Sequence, residues 1–190
     1  MRVADDLVGD IVERLRQGGR FDDTLLVVTS DHGEELLERG QIGHGHSLHE
    51  EQLHVPLIMH VPGVAAGRRA DAVSLADLAP TLLELCGIDA RPGVADGRSL
   101  ADLLRHDTPL APLPLLARGN RRDLVQRALR GERLKLIVKD LDDGGIEQTL
   151  YDLRADPGEL TNALTDRPGE AARIQSTLFE LARDLKTRGT

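Results

Sequence analysis

The chain has 190 residues, 40% hydrophobic and 29% charged, with a formal net charge of -8; that composition suits a folded chain with its own core rather than a disordered or fibrous one. One tyrosine, two phenylalanines and no tryptophan leave no platform for stacked bases, and the acidic balance opposes a phosphate backbone, so no nucleic-acid partner is expected. No apolar run reaches the ~18 residues of a membrane span, and a single cysteine, Cys86, excludes an internal disulfide.

Val3, Leu7, Val8, Ile11, Val12 and Leu15 recur at helical spacing and predict an amphipathic helix over about residues 3–17, stopped by Gly18 and Gly19. Its early carboxylates and lack of an apolar stretch do not read as a signal peptide; the chain is either cytoplasmic or an internal piece of a longer one. Thr24 to Thr29 is almost wholly apolar, the pattern of a central parallel strand flanked by helices. It ends in Ser30-Asp31-His32-Gly33-Glu34-Glu35, at the kind of strand edge where open α/β sheets bind ligands. Residues 40–51, rich in Gly and His, have neither strand nor helix period and predict a shaped loop.

Val55 to Val61 predicts a second strand, ended by Pro62-Gly63, and residues 75–86 a second amphipathic helix with Pro80 in its early turns. Ser99 is placed to cap a short helix through Arg105. Residues 107–120, rich in Pro and Leu, read as a crossing into a different region. Strands are then expected at Leu124–Leu129, Leu134–Val138 and Gln148–Leu153, with Asp142-Asp143-Gly144-Gly145 as a hairpin turn. A closing helix over Ala171–Leu185 carries Ile174, Leu178, Leu181 and Leu185 on one stripe. The fold class is therefore α/β, in two units: residues 1–110, and residues 111–190 as a small antiparallel sheet with a terminal helix.

Six of seven histidines lie between positions 32 and 60, interleaved with Asp31, Glu34, Glu35, Glu38, Glu50 and Glu51. Carboxylate oxygens and imidazole nitrogens are ligands of divalent cations, and Asp31 and His32, at the mouth of a buried strand, are placed to hold one. A cation there would offset the charge of an anionic ester and polarise it. Asp-His-Gly also reads as a plain strand-ending turn, and Gly43-His44-Gly45-His46 as a solvent loop with incidental histidines. His54 and His60 flank an apolar run and read as strand-end or core-edge residues. Asp5-Asp6 reads as a solvated helix face, and Cys86 as a packed, inert thiol.

The stretch TLLVVTSDHGEELLERGQIGHGHSLHEEQLHVPLIMHVPG resembles the metal-binding and substrate-pocket region of the sulfatases, within the alkaline phosphatase superfamily. SLADLAPTLLELCGI, GRSLADLL, RLKLIVKD and LYDLRADPGELTNAL are similar, in the same order, to the family's later elements. The resemblance implies part of an alkaline-phosphatase-like mixed sheet flanked by helices, followed by the family's C-terminal sheet. It implies a metal-dependent sulfuric ester hydrolase acting on a small-molecule or glycan sulfate ester, with phosphate or phosphonate ester hydrolysis, phosphoglycerol transfer or a non-catalytic metal-binding module as alternatives. Asp31 matches the family's metal-ligating aspartate, and His32 falls where many sulfatases have Asn and others His. His44 resembles the Lys or His that contacts the sulfate group, with His46 as its neighbour in that role. Calcium is the family's usual ion, and the imidazole at position 32 brings zinc or manganese into question. The family's nucleophile motif, Cys/Ser-x-Pro-x-Arg, and the aspartate pair that it carries on an earlier, first strand are not matched in these 190 residues. The resemblance therefore covers a C-terminal portion whose partner is a nucleophile-bearing N-terminal half.

Overall fold

The computed structural model describes residues 2–89, 96–121 and 124–188. Helix α1 (Arg2–Gln17) keeps the predicted stripe, with Val3, Leu7 and Ile11 exposed. A 3-10 turn at Phe21–Asp23 leads into β1 (Leu26–Thr29), which pairs with β4 (Leu57–His60) in the register Leu26↔His60 to Thr29↔Leu57. This ladder is antiparallel, which corrects the expected parallel pairing. The apolar run of β1 reports partial burial on both faces, and that burial does not depend on a neighbour's direction.

Residues 35–53, of which 40–51 are expected as a shaped loop, contain β2 (Glu35–Leu36), β3 (Ile42–Gly43) and a single helical turn, α2 (Glu50–Leu53). The predicted helix at 75–86 splits into a 3-10 turn, Leu75–Asp77, and α3 (Leu78–Leu85). Ser74 accepts from Ala76 N while Asp77 accepts from Ser74 N, a reciprocal cap that starts the pair. Cys86 is exposed rather than packed, because α3 ends at Leu85 and the chain turns outward through Gly87 at φ +69°. Helix α4 (Ala101–His106) follows, with Ser99 Oγ accepting from Ala101 N.

The C-terminal sheet is a meander of four strands, β5 (Leu115–Arg121), β6 (Leu124–Arg130), β7 (Leu134–Asp140) and β8 (Ile146–Asp152), all antiparallel in that order. Strand β5 lies in the segment expected as a crossing; its sequence has no β-branched residue to mark it, and pairing with β6 makes it a strand. The period-2 alternation of β6, β7 and β8 gives the sheet two buried faces. On one, Leu129, Leu136, Val138 and Leu150 pack against Ala171 and Leu178 of α5 (Pro168–Arg188). Ile174 and Leu181 join that core as the stripe predicts, and the Leu185 side chain lies outside the described residues. On the other face, Ala128, Ile137 and Tyr151 pack against Leu48. The histidine-rich segment is thus seated on the back of the C-terminal sheet.

Candidate active site

The register of the short β2–β3 hairpin, Glu35↔Gly43 and Leu36↔Ile42, assembles the site. One step before this ladder, Glu34 lies opposite His44, and His44 Nδ1 donates to Glu34 Oε1 at 2.7 Å. The same geometry stacks the His44 ring on His32, with centroids 4.0 Å apart and planes tilted by 34°. Gly43 and Gly45 flank His44 at φ +101° and +81°, a backbone that side-chain-bearing residues rarely adopt. Gly33 is required for a different reason: a Cβ there would meet the Glu51 carbonyl oxygen at 2.1 Å, because Gly33 N donates to Gln52 O at 2.8 Å.

Asp31 is exposed at the end of β1, its Oδ1 accepting from His32 N at 3.0 Å. The neighbouring His32 imidazole, followed by that backbone N–H, holds the Asp31 carboxyl below the usual carboxylate range. His32 Nδ1 lies 2.9 Å from the Gly33 carbonyl oxygen. A carbonyl only accepts, so Nδ1 carries the hydrogen and, in the neutral ring, Nε2 keeps its lone pair. That lone pair is 3.6 Å from Asp31 Oδ2. An oxygen and a nitrogen donor facing one another suit a divalent cation, and the Nδ1 bond to a carbonyl is the usual support of a metal-ligating histidine. Among the described residues no group of three or more His, Cys, Asp or Glu side chains gathers to hold a metal. Asp31 and His32 therefore fit as two donors of a larger shell.

His46 sits differently. Its side chain is only 11% exposed, with Nε2 3.1 Å from Glu35 Oε2. Glu35 is completely buried, and its Oε1 accepts from Ser47 Oγ and from Gln52 Nε2. Burial pushes its carboxyl up, but the bonds from Ser47, His46 and Gln52 outweigh burial and hold it below the ordinary value. Gln52 Oε1 in turn accepts from Gly45 N at 2.8 Å, so one buried amide joins the two sides of His46. The structure thus brings Asp31, His32 and His44 to one exposed edge and turns His46 inward. His60 stacks on Phe21 with centroids 4.1 Å apart, and His54 is exposed.

Ser47, Gln52, Gln126, Lys135, Tyr151 and Glu159 escaped the sequence reading. Gln126 Nε2 donates to the His46 carbonyl at 2.9 Å, and His49 Nε2 lies 3.3 Å from Tyr151 Oη. The signal for them was Lys135 inside the apolar run Leu134–Val138 of β7.

Residues 1–88 match the family model Sulfatase. This segment, just under half of the chain, is similar to the sulfatase family. Similarity runs further than the model: a choline-sulfatase of Rhizobium meliloti (strain 1021) is 33% identical over 180 residues, covering 92% of this chain and 34% of the relative. An arylsulfatase K of Mus musculus is 33% identical over 174 residues, 86% of this chain and 31% of the relative. The chain thus spans about a third of the length of these curated relatives. Among solved structures, the phosphonate monoester hydrolase of Agrobacterium radiobacter superposes with a TM-score of 0.81 at 28% identity, over 95% of this chain and 39% of that one. BT4656, in complex with its substrate D-glucosamine-2-N,6-O-disulfate, gives 0.76 at 26% identity, over 97% and 38%. The α/β class with a C-terminal antiparallel sheet and helix is that of these sulfatase-type neighbours.

Proposed function

We propose that this chain carries the cation-holding and anion-facing part of a metal-dependent sulfatase, residues 1–110 supplying the site and 111–190 the platform beneath it. The observation that carries the reading is the hairpin that sets His44 against His32, beside Asp31. Asp31 and His32 would hold a divalent cation, calcium first, with zinc or manganese favoured by the imidazole. When bound, the cation offsets the charge of the sulfate ester and polarises it. His44 faces the transferring group, its ring oriented by Glu34, and stabilises charge developing there. His46, drawn inward onto Glu35, shapes the wall behind.

Covalent attack requires a nucleophile, and these 190 residues contain no Cys/Ser-x-Pro-x-Arg. The purified chain is therefore expected to turn over an aryl sulfate at background rate, the full activity belonging to a parent with a nucleophile-bearing N-terminal half. Titration calorimetry with calcium, zinc and manganese on the wild-type chain and Asp31→Ala tests the site. Divalent uptake weakened by Asp31→Ala is expected; uptake indifferent to that change, or robust sulfatase turnover by the chain alone, would overturn the reading. The superposition on a phosphonate monoester hydrolase favours a second reading, phosphonate or phosphate ester hydrolysis. Parallel assays of a parent-length protein on aryl sulfate and aryl phosphonate decide between them.

A further inference from the structure

Lys135 is completely buried on the site-facing side of β7, where the other inward side chains, Ile137 and the cross-strand Tyr151, are apolar or aromatic. Its Nζ lies 2.8 Å from Glu50 Oε1 and 2.8 Å from Glu159 Oε1. Glu159 is also fully buried, and its Oε2 accepts from Glu50 N at 2.7 Å. Its backbone has φ +52°, uncommon for a residue with a side chain. Arg39 closes the arrangement from outside, donating to the Glu51 carboxylate and to the carbonyls of Gly158 and Glu159.

Stability alone does not explain a lysine here. Burying a charge group costs several kcal/mol per ion, and apolar replacements of a whole buried ion cluster are often neutral or stabilising. What such a cluster supplies is a unique geometry, and this one ends on α2. Gln52 of α2 holds Gly45 N and Glu35 through its side chain and Gly33 N through its carbonyl. Those three contacts set His44, His46 and His32 respectively. We propose that Lys135, with Glu50 and Glu159, is a positioning lock: the C-terminal sheet sets the placement of the histidines through α2 and Gln52. Lys135 touches none of the reacting groups; it acts through the loop. The inference rests on the functional reading above for its purpose, but its geometry is testable without turnover.

The test compares the wild-type chain with the triple variant Lys135→Met, Glu50→Gln, Glu159→Gln, which removes the lysine and both its carboxylates, leaves Arg39 and Arg130 in place, and keeps an acceptor at 159 for residue 50 N. Amide hydrogen exchange is followed separately in residues 44–53 and in β7, together with the nuclear Overhauser contact between the His32 and His44 rings. The expected result is exchange about tenfold faster in 44–53 and loss of the ring contact, while β7 keeps its protection. Unchanged exchange in 44–53, or equal acceleration in both regions, would show packing only and overturn the proposal. If the triple variant does not fold, Arg39→Gln gives the same comparison from the solvent side, with the same two outcomes deciding. Because neither readout is turnover, a chain that proves to take no sulfate ester leaves the lock standing, and a failed lock leaves the sulfatase reading intact.

Discussion

Acid should unfold this chain through His49 before its carboxylates titrate. The imidazole is half-buried, with Nε2 on Tyr151 Oη and Nδ1 buried without a hydrogen-bond partner among the described residues. Burial first, then the nearby charges of Arg39 and Lys135, lower its pKa from 6.5 to about 4, against a smaller opposing pull from Glu35. Between those values the unfolded state binds a proton that the folded state refuses, so stability falls as pH drops from 6.5 towards 4 and loses nothing further from this group below that. The full interval corresponds to about 3 kcal/mol, with a slope approaching 1.4 kcal/mol per pH unit. Glu159 acts in the opposite direction, since burial raises its carboxyl and favours folding as it protonates. The comparison is therefore made by difference. Urea unfolding of the wild type and of His49→Phe, which keeps a ring against Tyr151, is measured from pH 7.5 to 4.5. The wild type should lose about 2–3 kcal/mol relative to the variant over that range. Parallel curves would refute the assignment of a neutral, charge-crowded His49.

Gly33→Ala should destabilise the chain by about 1–3 kcal/mol or more, because its new methyl group meets backbone of α2 and no side chain can yield; a denaturant midpoint within error of wild type would count against the close approach. Leu136→Ala, at the fully buried centre of the α5-facing core, should cost about 2–5 kcal/mol in the same assay while leaving divalent-ion uptake unchanged. Lys135→Met alone leaves buried Glu159 with Arg39, 3.6 Å from its Oε2, as its remaining cation and should cost about 3–5 kcal/mol, part of it recovered in the triple variant. Equal loss in the single and triple variants would mean that packing volume, rather than uncompensated charge, sets the penalty.

Helices α1, α3 and α5 were legible because their apolar residues repeat at 3.6, and β6, β7 and β8 because theirs alternate. Asp31, His32 and His44 stood out as ligand-type residues at a strand end and between glycines. The hairpin that joins them was not legible: β2 and β3 are two residues each, too short to show a period, and their pairing depends on Gly43 at positive φ. The inward turn of His46 followed from Glu35, whose burial no local pattern announces. Lys135 and Glu159 meet across 24 positions, and Glu50 joins them from 85 positions before Lys135, so their cluster exists only in the folded chain.

The β2–β3 hairpin also divides the segment into an anchored base and a tip tethered by a single side chain, Arg39. Its base carries Glu34, Glu35 and Gly43, tied to the histidines; its tip closes by Leu37 N on Gln41 O, with Leu36, Leu37 and Ile42 open to solvent. Between Leu37 and Gln41 only Arg39 reaches back, to Glu51 and to the carbonyls of Gly158 and Glu159, so the positions beside it can be exchanged without shifting the rung beneath them as long as that arm is kept. A lineage, or an engineer, can remodel this overhang by grafting new tips around that tether, while the base is inherited unaltered.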